Sequence, residues 1–261
     1  MCSRREGLDM GLKSIAKEIY AREWFLRRAG AGEDRRQRRQ LLNQFSRIQK
    51  AVPCEHDSRE LLAMADYILK EAPAGALVEC GCYRGGSSAK LSLVAAMTGR
   101  KMYVCDSFEG LPEVSETEAK GRTVDGRLNG FSPGQYEATI DQVRANIEHH
   151  GNYQVCELIK GFFNESLKAL TGVPTAFVFS DADLVSSTRD VIRFIWPTLA
   201  AGGRLYTHDA NLPELVRGIT DGKWWIEQMG EYAPPLFGAG YGCGFGAGSI
   251  GYFEKPRVNE L

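Results

Sequence analysis

The sequence lacks a long apolar run, a dominant charge and a zinc-ligand pattern, and each absence excludes a class of protein. No apolar run approaches the ~20 residues that a membrane-spanning helix needs. The net charge of −1 at pH 7 argues against wholesale binding to nucleic acid or to an anionic membrane. No cysteine or histidine pairs stand at zinc-finger spacing. We therefore expect no membrane span, no nucleic-acid partner and no structural zinc.

The marks of a secreted protein are also missing. The 7 cysteines are an odd number, and the run Cys80-Gly81-Cys82 is too short for a typical disulfide or a C-x-x-C redox motif. Residues 1–10 are polar and do not resemble a signal peptide. We therefore expect reduced thiols and a cytoplasmic location.

The composition is that of a folded domain with an uneven charge. The 261 residues are 43% hydrophobic and 25% charged, which suits one α/β domain with an added N-terminal segment. Residues 1–50 carry 13 basic and 6 acidic side chains, whereas the remainder is acidic. The arginines at 35, 36, 38 and 39 favour either an anion-binding arm or a helix face that packs on the acidic body.

Apolar spacing predicts a helical front third and a strand–helix alternation after it. Helices are expected at 8–28, around 41–48 and at 57–72, so residues 1–74 are interpreted as a helical cap or lid. An exposed apolar pair of N-terminal helices would suit a homodimer. Strands are predicted at 76–80, 101–106, 153–159, 175–180, 204–207 and 248–253. Helices are predicted between them at 86–98, 132–150, 164–170, 187–199 and 212–229. Residues 75–261 are therefore expected to form an α/β fold, a Rossmann-like doubly wound, mostly parallel sheet with right-handed crossovers.

A glycine-rich turn follows the first predicted strand and opens a helix. The run E-C-G-C-Y-R-G-G-S contains Glu79, Gly81, Tyr83, Gly85 and Ser87. Glycines there let a ligand approach the backbone and the free N–H groups of a helix N-terminus. Dinucleotide enzymes use G-x-G-x-x-G at this place, and that pattern is absent here. An acidic residue before the first glycine suits a cation better than a pyrophosphate, which favours S-adenosylmethionine.

Acidic residues also end three later strands. Asp106 can bind the ribose hydroxyls of an adenosyl group or, alternatively, cap a helix. Asp181 and Asp183 follow the fourth strand, and His208 and Asp209 follow the fifth. If those strands are neighbours, the side chains converge as a divalent-cation site or as a general-base pair. The alternative is that His208 and Asp209 cap the next helix.

These runs together resemble the macrocin O-methyltransferase (TylF/MycF-type) family over residues 75–255. The most specific stretch is D-S-F-E-G-L-P, which begins at Asp106 and Ser107. The turn at 78–91, the D-A-D-L run at Asp181, the G-G pair at 202–203 and the segment Gly161-Phe162-Phe163 agree with it.

The resemblance implies a class I methyltransferase that uses S-adenosyl-L-methionine to O-methylate a sugar hydroxyl in natural product biosynthesis. It further implies Mg²⁺ near the acceptor, with ligands that match Asp183 and Asp209. This sequence has His208-Asp209-Ala210 where the family has Asp-Asp-Tyr, and Val185 where it has Tyr. Histidine is a poor partner for a hard cation, so this departure counts against Mg²⁺.

Roles for the candidate residues follow as predictions. Glu79 and residues 81–87 hold the methionine end, Asp106 and Ser107 hold the ribose, and Gly161, Phe162 and Asp181 line the cofactor pocket. Asp183, His208 and Asp209 face a hydroxylated small-molecule acceptor. His208 is the general base without a metal, whereas Asp183 and Asp209 are ligands with one. Two alternatives stay open: a nicotinamide-dependent oxidoreductase, and a binding protein on a degenerate methyltransferase fold.

Overall fold

The computed structural model describes residues 16–257 apart from 31, 124, 125, 127, 129 and 240–248. Its described part contains one six-stranded sheet. The strands are β1 (Ala76–Cys80), β2 (Met102–Asp106), β3 (Cys156–Lys160), β4 (Thr175–Ser180), β5 (Leu199–Thr207) and β6 (Gly251–Glu254). Their order is β3-β2-β1-β4-β5-β6, and only β6 runs antiparallel to its neighbour. The predicted doubly wound, mostly parallel sheet is confirmed.

The predicted N-terminal helices are present with shifted bounds. They are α1 at 16–27, α2 (Glu33–Ala51) and α3 (Ser58–Lys70). The first part of the helix predicted at 8–28 lies outside the described residues. α3 begins with a capping box. The Asp57 side chain accepts the backbone N–H of Glu60, and the Glu60 side chain accepts the backbone N–H of Asp57. The apolar faces of these helices share one buried cluster with β1 and β4.

Part of the basic N-terminal segment serves packing. Arg38 is fully buried, donates to Asp66 at 2.6 Å and to the carbonyl of Phe25 at 3.0 Å, and stacks over the Phe25 ring. The neighbouring Arg39 is exposed. The packing interpretation therefore holds for Arg38, because its charge is neutralised inside the fold.

In the part of the chain that the structure describes, six further α-helices flank the sheet. They are α4 (Gly86–Met97), α5 (Ile140–His150), α6 (Phe163–Ser166), α7 (Val185–Ile195), α8 (Pro213–Ile219) and α9 (Gly222–Met229). The helix predicted from 132 begins instead at Ile140, where Thr139 and Gln142 form a capping box. The helix predicted at 212–229 is divided, because the Asp221 side chain accepts the N–H groups of Lys223 and Trp224 and starts α9.

Two structural findings concern membrane-spanning helices and the cysteine thiols. No helix in the described ranges is both long and apolar enough to cross a bilayer. All five cysteines within those ranges are free thiols: Cys54, Cys80, Cys82, Cys105 and Cys156.

The strand order fixes where a ligand can bind. Chain connections run outward from β1 on one side and from β4 on the other, so these two central strands form a topological switch point. Loops leave the carboxyl ends of β1 and β4 in opposite directions and open a crevice between them. Residues that follow β1, β2, β4 and β5 therefore face one space.

Candidate active site

A cavity of about 680 Å³ opens at the carboxyl ends of the strands. Most of the site residues predicted from the sequence line this cavity. From that set, its lining contains Gly81, Tyr83, Ser87, Asp106, Ser107, Phe162, Asp181, Asp183, His208 and Asp209. Three others, Glu79, Gly85 and Gly161, lie outside the lining.

The turn after β1 brings two strand ends into contact. Gly81 has φ +89°, and a Cβ built on it would lie 2.0 Å from the carbonyl oxygen of Asp181. Only glycine fits both the conformation and the space. Gly85, at φ +79°, then caps the N-terminus of α4, whose first residues Gly86 and Ser87 line the cavity. The turn thus presents backbone and a helix N-terminus to a ligand.

Asp106 fixes two loops at the wall of the cavity. Its carboxylate accepts the N–H of Cys82 at 2.7 Å and the N–H of Phe108 at 2.8 Å. The Ser107 hydroxyl donates to the carbonyl of Gly110 at 2.8 Å. Asp106 therefore holds the turns after β1 and β2 rather than the start of a helix. Each carboxylate oxygen keeps lone-pair capacity for a hydroxyl donor, and the ribose role stays a prediction.

Two of the three residues outside the lining support it through hydrogen bonds. Glu79 is fully buried and accepts a hydrogen bond from the hydroxyl of Ser88. Burial raises the pKa of Glu79 to about 7. The N–H of Gly161 donates to the carbonyl of Asp106 at 2.9 Å. Contact of Glu79 and Gly161 with a cofactor stays a prediction, whereas their hydrogen bonds to Ser88 and Asp106 are observed.

The acidic and histidine side chains after β4 and β5 converge. The two strands pair in parallel with Ser180 opposite Thr207. His208 Nδ1 consequently lies 3.1 Å from Asp181 Oδ1 and 3.4 Å from Asp209 Oδ1. α8 begins without a side-chain cap, so the helix-capping alternative for His208 and Asp209 is wrong.

Mutual charge shifts the protonation of this group. Burial opposes the charge on Asp181, but the imidazoles of His56 and His208 outweigh it and hold its pKa far below the usual range. Burial lowers the pKa of His208, and the carboxylates of Asp209 and Asp181 more than offset that and raise it. Burial also lowers the pKa of His56, but the Asp181 carboxylate outweighs burial and raises that pKa to about 10.

The pKa of Asp183 shifts in the opposite direction from the pKa of Asp181. Burial, followed by the nearby carboxylates of Asp181 and Asp209, raises the pKa of Asp183 well above its usual value. A carboxyl group in such surroundings holds a proton more readily than an exposed one, which suits it to accept a proton from a substrate.

No site residue was predicted from the sequence between α2 and α3. His56 is 6% exposed, and its Nε2 lies 2.8 Å from Asp181 Oδ2. On the other side of its ring, Nδ1 lies 3.4 Å from the thiol of Cys54. The only available signal was the polar run Cys54-Glu55-His56-Asp57 between two amphipathic helices. Nothing in its spacing points to a partner 125 residues ahead.

Backbone strain concentrates at the same cavity. Within the described ranges, five residues other than glycine have positive φ: Tyr83, Phe108, Tyr136, Asp183 and Asp209. All but Phe108 line the cavity. Such conformations cost of order 1–3 kcal/mol each and cluster at functional sites, so the surrounding fold holds Asp183 and Asp209 in place.

The sequence is similar to two curated O-methyltransferases. The chain is 36% identical over 151 residues to the 8-demethyl-8-(2,3-dimethoxy-alpha-L-rhamnosyl)-tetracenomycin-C 4'-O-methyltransferase of Streptomyces olivaceus. This alignment covers 54% of this chain and 55% of that protein. It is 27% identical over 144 residues to the demethyldecarbamoylnovobiocin O-methyltransferase of Streptomyces niveus, covering 52% of each. The alignments thus span about half the length of these curated relatives.

A solved structure shares the fold. The O-methyltransferase NovP superposes with a TM-score of 0.53 at 19% identity, over 84% of this chain and 80% of that one. The sequence also matches the family described as Macrocin-O-methyltransferase (TylF) over residues 17–222, which is most of its length. The chain belongs to the Macrocin-O-methyltransferase (TylF) family.

Proposed function

We propose that this protein is an S-adenosyl-L-methionine-dependent O-methyltransferase that acts on a sugar hydroxyl of a small natural product. One observation carries the proposal: the glycine turn with Asp106 and the Asp183–His208–Asp209 group line the same cavity. Cofactor and acceptor can therefore meet in it. The name of the Streptomyces olivaceus relative, which contains a rhamnosyl group, supports a sugar-bearing acceptor.

The turn and Asp106 form the cofactor half. The close approach at Gly81 leaves backbone exposed to a ligand, and Asp106 stands at the next strand end, where a carboxylate can accept from ribose hydroxyls. Asp181, with its low pKa, stays ionised and faces the same half. S-adenosylmethionine supplies a methyl group on a sulfonium, and the positive charge of that group suits an acidic pocket.

The residues after β4 and β5 manage the acceptor's proton. The acceptor oxygen forms the new bond to the methyl carbon while the carbon–sulfur bond breaks, and the hydroxyl proton must leave. Asp183 is the group best suited to accept that proton, because it lines the cavity and is held by a strained backbone. His208 is less suited to be the base, because its Nδ1 faces the carboxylates of Asp181 and Asp209 and its Nε2 faces Glu60. His208 and Asp209 instead place charge beside the reacting oxygen.

Mg²⁺ is a poor fit to these donors. The predicted ligands Asp183 and Asp209 do lie near Asp181. Both oxygens of Asp181, however, contact imidazole nitrogens, and His208 Nδ1 also faces Asp209. Mg²⁺ prefers an all-oxygen set with several waters, so no step above depends on it.

The loop after β2 forms the acceptor wall. Leu111, Phe131 and Tyr136 give this wall apolar surface, and Gln135 adds an amide. Glu118 fixes the loop by accepting the N–H of Val185 at 2.7 Å, at the start of α7. This wall, together with the N-terminal helices, is proposed to exclude water and select the acceptor.

Calorimetric titration with S-adenosylhomocysteine tests the cofactor assignment. Micromolar binding, followed by a mass gain of one methyl group on a rhamnosylated acceptor, is the expected result. Tighter binding of NAD would favour the oxidoreductase. Cofactor binding without turnover on any hydroxylated acceptor would favour the degenerate-fold alternative.

A homodimer is a further part of this proposal. Ile19 on α1 is 57% exposed, whereas the large apolar side chains of α2 are buried: Leu41, Leu42, Phe45 and Ile48. Analytical ultracentrifugation of wild type and Ile19→Glu checks it. A dimer that the variant converts to monomer is expected, and a wild-type monomer would exclude it.

A further inference from the structure

We propose that Cys54 is a covalent modification site, at which a low-molecular-weight disulfide forms a mixed disulfide that blocks the cavity. The site is a cluster of Cys54, His56 and Lys90 beside the first turn of α4. The modification is argued from this cluster alone, and only its effect on cofactor binding rests on the proposed function.

Cys54 differs from the other described cysteines in its surroundings. Its thiol is half-buried and lines the cavity, whereas the other four are buried. Burial raises the pKa of the Cys156 thiol to about 12. Burial also raises the pKa of Cys54, but its contact with His56 and the charge of Lys90 outweigh burial and lower that pKa. Because the thiolate is the nucleophilic form of cysteine, Cys54 is the described thiol best suited to react.

A buried ammonium group stands beside the thiol. Lys90 on α4 is 1% exposed, and its Nζ lies 3.7 Å from the sulfur of Cys54. The same Nζ donates to the amide oxygen of Gln49, and among the described residues no carboxylate pairs with it. A buried charge is costly unless an opposite charge pairs with it. A thiolate at Cys54 supplies that opposite charge.

His56 and the start of α4 favour the same anion. His56 Nδ1 lies 3.4 Å from the sulfur, and its Nε2 lies 2.8 Å from Asp181 Oδ2, which fixes the ring. A Cβ built on Gly86, the first residue of α4, would lie 2.8 Å from the Cβ of Cys54 and 3.4 Å from its sulfur. The thiol therefore lies against the N-terminus of a 12-residue helix, where the helix dipole stabilises negative charge.

Thiol–disulfide exchange is the reaction that this cluster favours. The Cys54 thiolate, whose proton has gone to solvent, attacks one sulfur of the disulfide. A new sulfur–sulfur bond forms while the old one breaks, and the second half leaves as a thiolate that takes up a proton from solvent. Cys54 is thereby oxidised and the departing thiol is reduced. Because Cys54 and Gly86 line the same cavity, the attached group occupies space beside the glycine turn.

The reactivity of Cys54 can be measured without any activity. The reduced full-length protein is treated with limiting iodoacetamide, whose carbon bonds to the sulfur as iodide leaves. The tryptic peptide 51–59, in which Cys54 is the only cysteine, is then quantified by mass spectrometry. The alkylation rate should rise with pH to a plateau, with its midpoint at least about one pH unit below the ~8.5 expected for the same thiol in urea. A midpoint equal to or above that in urea, or an unlabelled peptide in the folded protein, would overturn the proposal.

Three variants test the cluster. Lys90→Met and His56→Gln should each move the midpoint toward the value in urea, and either one reports if the other fails to fold. Lys101→Met is the control, since Lys101 is half-exposed, pairs with Glu157 and precedes β2 at the end away from the cavity. An unchanged midpoint in the folded Lys90 and His56 variants would overturn the role of the cluster.

Glutathione disulfide then tests the block. Treated wild type should gain one glutathionyl group on peptide 51–59 and lose S-adenosylhomocysteine binding at least about 10-fold, and dithiothreitol should reverse both changes. Treated Cys54→Ser should bind S-adenosylhomocysteine as well as the untreated variant does. A mixed disulfide that leaves wild-type binding intact would overturn the block.

The outcome separates this inference from the proposed function. If untreated wild type binds S-adenosylhomocysteine but peptide 51–59 stays unmodified, the modification site is wrong and the methyltransferase stands. If peptide 51–59 is modified but untreated wild type does not bind S-adenosylhomocysteine, the modification site stands and the cofactor assignment is wrong.

Discussion

His56 Nε2 lies 2.8 Å from Asp181 Oδ2, although the two residues are 125 positions apart. The contact joins the loop between α2 and α3 to the end of β4, so the N-terminal helical region supplies part of the cavity wall. Division of the chain into a cap at 1–74 and a methyltransferase domain stays a prediction. The contact itself shows that the first part of the chain contributes to the site.

Asp181→Asn should lower the free energy of unfolding by about 3 kcal/mol, because it leaves the buried imidazole of His56 without the carboxylate that it contacts. Urea denaturation in the presence of chelator measures this. Asp141→Asn is the matched control, since the Asp141 side chain is 83% exposed. Equal stability of the two variants would show that the His56–Asp181 contact contributes nothing.

Asp183→Asn should lower kcat at least about 100-fold, the usual contribution of a positioned general base. S-adenosylhomocysteine affinity should stay near the wild-type value, because Asp183 faces the acceptor half. Asp190→Asn is the control, since Asp190 lines the same cavity and pairs with Arg193 at 2.8 Å. Wild-type kcat in Asp183→Asn would assign the base to another residue.

Glu79 should make stability fall as the pH rises. Burial raises its pKa from 4.5 in the unfolded chain to about 7 in the folded protein, so between these pH values only the folded state keeps the proton. The stabilisation present at pH 4.5 is therefore lost by pH 7, and it amounts to at most about 3 kcal/mol.

Glu79→Gln removes this contribution. Chemical denaturation at pH 5 and pH 8, without ligand, should show a smaller drop for the variant than for wild type. Glu137→Gln, at an exposed position, should keep the wild-type drop. An identical drop in all three proteins would show that Glu79 is ionised in the folded state.

Gly81→Ala should destabilise the fold by at least about 3 kcal/mol, because it adds positive-φ strain to a clash with backbone. Gly99→Ala is the matched control, since Gly99 has φ +63° and no atom within 4 Å of its added Cβ. That variant carries strain alone, about 1 kcal/mol. Comparable urea midpoints for the two variants would mean that the β1 and β4 ends separate without cost.

Arg38→Ala should cost about 3–5 kcal/mol of stability, because it leaves the buried Asp66 without its buried partner. The exposed neighbour variant Arg39→Ala should change stability by less than about 0.5 kcal/mol. Thermal unfolding of both distinguishes a packing role from an anion-binding role. A stable Arg38→Ala would return the whole basic segment to the anion-binding interpretation.

Elements with strong local signals could be predicted from the sequence. The strand at 76–80 and the strand at 175–180 have the predicted bounds, because each is a short apolar run between turn residues. Asp106, Asp181, Asp183 and Asp209 were found because carboxyl ends of parallel strands meet at one edge of a sheet. Helix bounds were less accurate where side-chain caps decide them, as at Thr139 and Asp221.

The sequence by itself determined the order of strands and helices, the glycine turn and the acidic strand ends, since these depend on periodicity and on turn chemistry over a few residues. Only the tertiary structure decided which ionisable groups touch. The pairing of β4 with β5 sets His208 against Asp181, and packing of α2 and α3 on the sheet brings His56 and Cys54 beside them. Those contacts arise from burial of apolar faces far apart in the chain, and that burial leaves no mark in the local sequence around His56.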